Sequence, residues 1–193
     1  VFYKTDLKER KDKRVNYIIY DLEATCWQGN HNKKQEIIEI GAVKINGYGE
    51  PESIFSSFVR PIVHPMLSSF CKELTNISQV DINRADRFPI VVEAFQDWID
   101  IEEEDYLLCS WGSFDKKAFI SNCYLHEMEE EWLDSHINLK SQYHEIRRIH
   151  RQIGLSKALR REGFEFTGTP HRGIDDAKNL VKIFLKYFDE WMF

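Results

Sequence analysis

Two acids spaced by one residue, Asp21 and Glu23, end an apolar run within residues 17–27, YIIYDLEATCW. A short β-branched and aromatic run bounded by polar residues reads as a buried strand. Side chains alternate along a strand, so both carboxylates project together from its end. Adjacent carboxylates repel and lose hydration, which is costly unless something positive sits between them. A hard divalent cation with oxygen ligands suits that place. The bland alternative is a strand end running into solvent, and D-x-E alone does not separate the two.

Other residues bear on the choice. Asp115, in SWGSFDKKAF, falls near the start of a helix, where the helix dipole alone favours an acid. His171 lies in the turn TPHRG, and Asp175 and Asp176 follow at the start of the last helix. Singly, each has a structural explanation. Together, Asp21, Glu23, Asp115 and Asp176 all fall at strand ends or helix starts, which gather at one edge of an α/β sheet. Four carboxylates and a loop histidine suit a phosphodiester hydrolase with two Mg²⁺ ions roughly 4 Å apart, clamping the attacking and leaving oxygens. A neutral imidazole would take a proton from the attacking water.

These residues need a scaffold. Strand patterns cover 15–25, 36–45 and 53–60, the last stopped by Pro61. A helix alternative remains for 36–45, because Ile37, Ile38 and Ile40 also fit a helical face. Short connections imply an antiparallel meander. Short helical pieces follow near 66–73 and 75–79, then a helix over 88–100 with Val91, Val92, Phe95, Trp98 and Ile99 at three- and four-residue spacing. A fourth strand spans 106–111, and Ser113 is placed to cap a helix through 124. A weak fifth strand covers 137–140. Helices follow at 141–152, 155–161 and 174–190, the last with the apolar line Ile174, Ala177, Val181, Phe184 and Phe188. Strands alternating with helices imply a sheet with parallel members and helices packed on it.

The 193 residues fit one domain, expected over 15–193 behind a charged tail at 1–14. Hydrophobic content of 42% fits a globular chain. No apolar run approaches the ~18 residues that span a bilayer, and residues 4–14, KTDLKERKDKR, do not read as a signal peptide. Cys26, Cys71, Cys109 and Cys123 form no CxxC pair; they read as reduced residues of a cytoplasmic protein rather than zinc ligands. The net charge of −6 argues against a non-specific DNA coater. Charge is unevenly spread, however. Residues 93–134 hold thirteen acids and two lysines, whereas 140–172 hold eight Lys and Arg against three acids. The basic stretch reads equally as a solvated face or as a surface for a polyanion.

The order DLEAT (21–25), WGSFD (111–115) and HRGIDD (171–176) resembles the three motifs of the DEDDh exonucleases. The segments EIIEIGAV (36–43), FVRP (58–61), LSSFCKELTNISQVD (67–81) and GTPHRGIDDAKN (168–179) resemble the enhanced-RNAi and histone-mRNA 3′ exonuclease branch. The likeness runs over about residues 15–188. It implies a ribonuclease H-like three-layer α/β/α fold, with a five-stranded mixed sheet made of an antiparallel meander plus two parallel strands. It also implies 3′→5′ removal of nucleotides, from single-stranded RNA or RNA overhangs, releasing 5′-mononucleotides. Asp21, Glu23 and Asp176 would ligate two Mg²⁺, with Mn²⁺ able to substitute, and Asp115 would join them directly or through water. His171 would be the general base. Glu23 and the backbone of Ala24 and Thr25 would meet the 3′ hydroxyl. Phe114, where relatives often carry Trp, would stack on a terminal base. Asp175 is the rival of Asp176; the family spacing of five from the histidine selects Asp176 and leaves a capping role to Asp175. Trp27 and His31 flank the site in sequence as candidates to line the nucleotide pocket, with packing the favoured reading for Trp27.

Two other functions stay open on sequence. Some bacterial members of this branch are labelled as inhibitors of a sporulation kinase pathway, and the acidic 93–134 stretch would suit a regulatory factor with an unidentified protein partner. A DNA-directed 3′→5′ exonuclease is the other, since no residue announces a contact to the RNA 2′ hydroxyl.

Overall fold

The computed structural model describes residues 15–29 and 32–193, and within them the apolar runs pair into one mixed sheet. Its strands are β1 (Asn16–Ala24), β2 (Ile37–Ile45), β3 (Pro51–Phe58), β4 (Tyr106–Ser110) and β5 (His136–Asn138). The spatial order is β3-β2-β1-β4-β5. β1–β2 and β2–β3 are antiparallel; β1–β4 and β4–β5 are parallel. This is the expected meander plus two parallel strands. The expected tail at 1–14, and His31, lie outside the described residues.

The helices are α1 (Ser69–Thr75), α2 (Gln79–Arg84), α3 (Phe88–Ile99), α4 (Phe114–Leu125), α5 (Leu139–Ile146), α6 (Leu155–Arg161) and α7 (Gly173–Lys186), with a 3₁₀ turn at Glu131–Leu133. They cover both faces of the sheet. Tyr17 and Ile19 of β1 join Tyr143 of α5, Leu155 and Leu159 of α6, and Leu180, Ile183 and Phe184 of α7 in one core. Ile18, Tyr20 and Leu22 join Val92, Phe95 and Ile99 of α3, Phe119 of α4 and Leu133 in the other. The period-2 alternation of β1 divides its residues between these cores. Burying a side chain such as Phe184 or Phe95 is worth roughly 1.5–3 kcal/mol. Residues 36–45 are also apolar on both faces, as buried strands are. That explains their partial fit to a helical pattern.

Local hydrogen bonds moved several boundaries. Ser68 Oγ accepts from the Cys71 N–H (3.0 Å) and Ser78 Oγ from the Asp81 N–H (3.1 Å), so α1 and α2 start after these serines rather than at 66 and 75. Asn138 Oδ1 accepts from the Ser141 N–H (3.1 Å), which turns Leu139 and Lys140 into α5 instead of extending β5. α5 then ends at Ile146, and residues 147–154 form a strap rather than continuing the helix to 152. The expected Ser113 cap is absent. Ser113 lies in the right-handed helical region (φ −108°, ψ −1°), not the extended conformation that aims a side-chain oxygen at the first-turn N–H groups. Among the described residues, no helix is long and apolar enough to cross a membrane.

Candidate active site

Asp21 and Glu23 leave β1 on the same face as Tyr17 and Ile19, the face that α7 covers. Across the ladder, Asp21 stands opposite Gly41 and Glu23 opposite Glu39. Gly41 permits the approach of α7. A Cβ there would overlap the Gly173 carbonyl carbon and the Ile174 nitrogen, so the helix start rests on bare strand backbone. That contact carries Asp176, in the first turn of α7, to the two β1 acids. One oxygen from each of Asp21, Glu23 and Asp176 lies within 4.8 Å of the others.

Asp115 comes from the other side of the sheet, in the first turn of α4. Its Oδ1 accepts from the Leu22 N–H (3.3 Å), between the two β1 acids in sequence. It lines the same cleft but is not one of the three acids whose oxygens cluster. His171 lies on the cleft with φ +61°, and its N–H donates to Asp176 Oδ2 (2.8 Å). The Arg172 N–H donates to the same oxygen (3.2 Å). Asp175 faces away and accepts from the Thr169 N–H (2.9 Å), holding the preceding turn.

Charge in this group is disfavoured. Burial, then the Asp115 and Asp176 carboxylates, push Asp21 well above the usual carboxylate range. Burial with Asp176 and Glu39 nearby moves Glu23 up to about 8. Burial raises Asp115 to about 6, against the pull of the Leu22 N–H. Asp176 is raised by burial and partly relieved by the His171 and Arg172 N–H groups. A partly buried all-carboxylate oxygen set without thiolate or imidazole is what hard divalent cations take. The neighbouring guanidinium, Arg172, is already engaged. Its Nε and Nη2 donate to the two Glu39 oxygens (3.1 and 3.0 Å), and the Gly173 N–H also reaches Glu39 (3.0 Å).

The cleft has a volume of about 790 Å³. Its lip includes Phe114, 48% exposed, with Trp111 nearby. Ala24 and Thr25 do not line it; both are buried. The Thr25 N–H donates to Glu36 O (2.8 Å), its carbonyl accepts from Gln35 Nε2 (3.1 Å), and its Oγ1 accepts from the Glu36 N–H (2.9 Å). Trp27 packs edge-on against His64, away from the cleft lining. The sequence pattern missed Glu39, the latch on the histidine loop, although an acid inside an apolar strand was its signal. It also missed a basic wall formed by Arg151, Lys157 and Arg160, signalled only by the charge of 140–172.

The Exonuclease family model, RNase_T, matches residues 18–184. The chain belongs to this family. This exonuclease-family chain is 35% identical over 203 residues to human 3′-5′ exoribonuclease 1, covering 97% of the chain and 57% of that protein. It is 33% identical over 187 residues to human ERI1 exoribonuclease 2, covering 85% and 27%. The chain thus spans little more than half of the first of these relatives. A solved structure of the 3′hExo nuclease domain, described as a DEDDh family member bound to rAMP, superposes with TM-score 0.85 at 32% identity, covering 93% of this chain and 94% of that one. A 3′-exonuclease recognising a histone mRNA stem-loop gives TM-score 0.87 at 31% identity, covering 93% and 84%. The ribonuclease H-like architecture and the DEDDh resemblance are therefore both borne out.

Proposed function

We propose that this chain is a metal-dependent 3′→5′ exoribonuclease acting on single-stranded RNA ends and releasing 5′-mononucleotides. The observation that carries the proposal is the convergence of Asp21, Glu23 and Asp176 within 4.8 Å, in a cleft shared with Asp115 and His171. Asp21, Glu23 and Asp176 would hold Mg²⁺, or Mn²⁺ in its place, and Asp115 would complete the set from across the sheet. Bound divalent ions supply Lewis-acid stabilisation of the attacking and leaving oxygens.

The chain's own residues do the rest. His171, exposed at the cleft, takes the proton from the attacking water, and its loop is held to Asp176 through the main chain. Phe114 offers an exposed ring against which the terminal base stacks. Thr25 fastens the strand end behind Glu23 to Glu36, the residue before β2.

The test is digestion of end-labelled RNA and DNA single strands, with and without EDTA. Mononucleotide release from the 3′ end, faster on RNA and lost in EDTA, is expected. Asp21→Asn should lower turnover at least about a thousandfold, because loss of a metal ligand forfeits several kcal/mol and each 1.36 kcal/mol is tenfold. Its circular dichroism should match that of the parent. Full activity in Asp21→Asn would falsify the assignment.

A further inference from the structure

The cleft has two walls of opposite charge, and the acids explain only one. Of the eight Lys and Arg in 140–172, Arg147 is paired with Glu162 (3.1 Å) and Arg172 with Glu39 (3.0 Å). Arg151, Lys157 and Arg160 are different. All three line the cleft, all are exposed, and their side chains make no ion pair or hydrogen bond with a described residue. Charges kept in a cleft without a protein partner are available to a ligand anion.

Their placement is preset. The strap that carries Arg151 is fastened at Ile153, whose N–H donates to His144 Nε2 (3.2 Å) and whose carbonyl accepts from Trp111 Nε1 (3.3 Å). Leu155, Ala158 and Leu159 anchor α6 in the core, leaving Lys157 and Arg160, three residues apart, on one outward face. Charge is also divided between the layers. The acid-rich 93–134 stretch includes the second half of α3, α4 and the 3₁₀ turn, packed on one face of the sheet; α5 and α6 pack on the other. A polyanion is repelled from the first layer and drawn along the second.

We propose that Arg151, Lys157 and Arg160 form a track for the phosphates on the 5′ side of the scissile bond. The inference rests on the exonuclease reading of the cleft. The 3′-terminal phosphodiester lies at the acids, and the strand leaves across the strap and α6 with its backbone against the basic wall. The ligand class is a single-stranded polynucleotide more than one residue long, held by charge without regard to base. Substrate length, rather than sequence, then sets affinity.

Two measurements on the triple variant R151Q/K157Q/R160Q test this. The first is fluorescence anisotropy of a labelled RNA decamer, made in an Asp21→Asn background so that no strand is consumed. Each phosphate neutralised on a single strand contributes about −0.7 to the slope of log K against log salt, so removing three charges should flatten the slope by about 2. The decamer Kd should rise at least about tenfold. The second is steady-state hydrolysis of the decamer and a dinucleotide by otherwise unaltered enzyme. The ratio of their kcat/KM values should collapse in the triple variant, through KM. An unchanged Kd and salt slope, or equal losses on both substrates, would overturn the track. If the parent enzyme hydrolyses neither substrate, the exonuclease reading fails, and the anisotropy measurement still decides the track.

Discussion

Glu39 is 1% exposed, and its charge is held inside the sheet by the Arg172 guanidinium and the Gly173 N–H. Arg172 keeps access to water and rests over the Phe58 ring, 5.1 Å from its centroid. The two partners therefore fail differently. Arg172→Met strands a buried carboxylate beside Glu23 and Asp21 and should cost about 3–5 kcal/mol in urea unfolding. Glu39→Gln leaves an arginine that can turn to solvent, and removes a negative charge that raises both Asp21 and Glu23. It should cost only about 1 kcal/mol. Both variants release the loop that carries His171, so both should lower kcat. Equal stability losses, or an unchanged kcat, would argue that the pair does not hold the histidine.

At the next level up, the contact between β2 and α7 brings Asp176 to Asp21. It depends on Gly41 because two backbones meet there and neither can turn aside as a side chain can. Gly41→Ala should destabilise the fold by about 1–3 kcal/mol or more through overpacking. It should also separate Asp176 from the β1 acids, so turnover at saturating Mn²⁺ should fall even at temperatures where the variant is fully folded. Normal turnover in a folded Gly41→Ala protein would mean that this approach does not set the metal site. Element boundaries show what sequence patterns miss. The apolar runs of β1 and β2 and the apolar periods of α3 and α7 point to those elements, with a helix alternative left open for β2. The starts of α1, α2 and α5 instead follow single hydrogen bonds from Ser68, Ser78 and Asn138, which periodicity does not register.

Across the whole molecule, the site is a source of instability until it is filled. In the metal-free protein Glu23 keeps its proton up to about pH 8 and Asp115 up to about 6. The unfolded chain releases such protons near pH 4. Protons retained in this way make stability fall as pH rises. Burial lowers His126, His136 and His144, which opposes this trend below about pH 6.5; above that, the folded state binds more protons than the unfolded one, so stability falls. The Tm of EDTA-treated protein should decline from about pH 6.5 to about pH 8. Saturating Mn²⁺ should raise Tm most at the upper end, where the carboxylates give up fewer protons to bind it. Thermal melts across that range, with and without Mn²⁺, check both slopes; a metal-free Tm that climbs over the same window would contradict the depicted site.

The D-x-E spacing determined that Asp21 and Glu23 point the same way, because alternation along a strand is a local property. The motif order put His171 five residues before Asp176, and the apolar periods carried the strand and helix pattern of the sheet. Tertiary structure alone decided which of these groups meet. Asp115 bonds the Leu22 N–H across 93 residues, and Arg172 bonds Glu39 across 133. Contacts between such distant residues depend on packing rather than on local spacing. The bonds of the Thr25 backbone groups to Glu36 and Gln35 are likewise set by the fold. It sorted the basic stretch in the same way: a Lys or Arg is free for a ligand only where the fold places no acid beside it. Arg147 and Arg172 have such acids; Arg151, Lys157 and Arg160 face the cleft without one among the described residues.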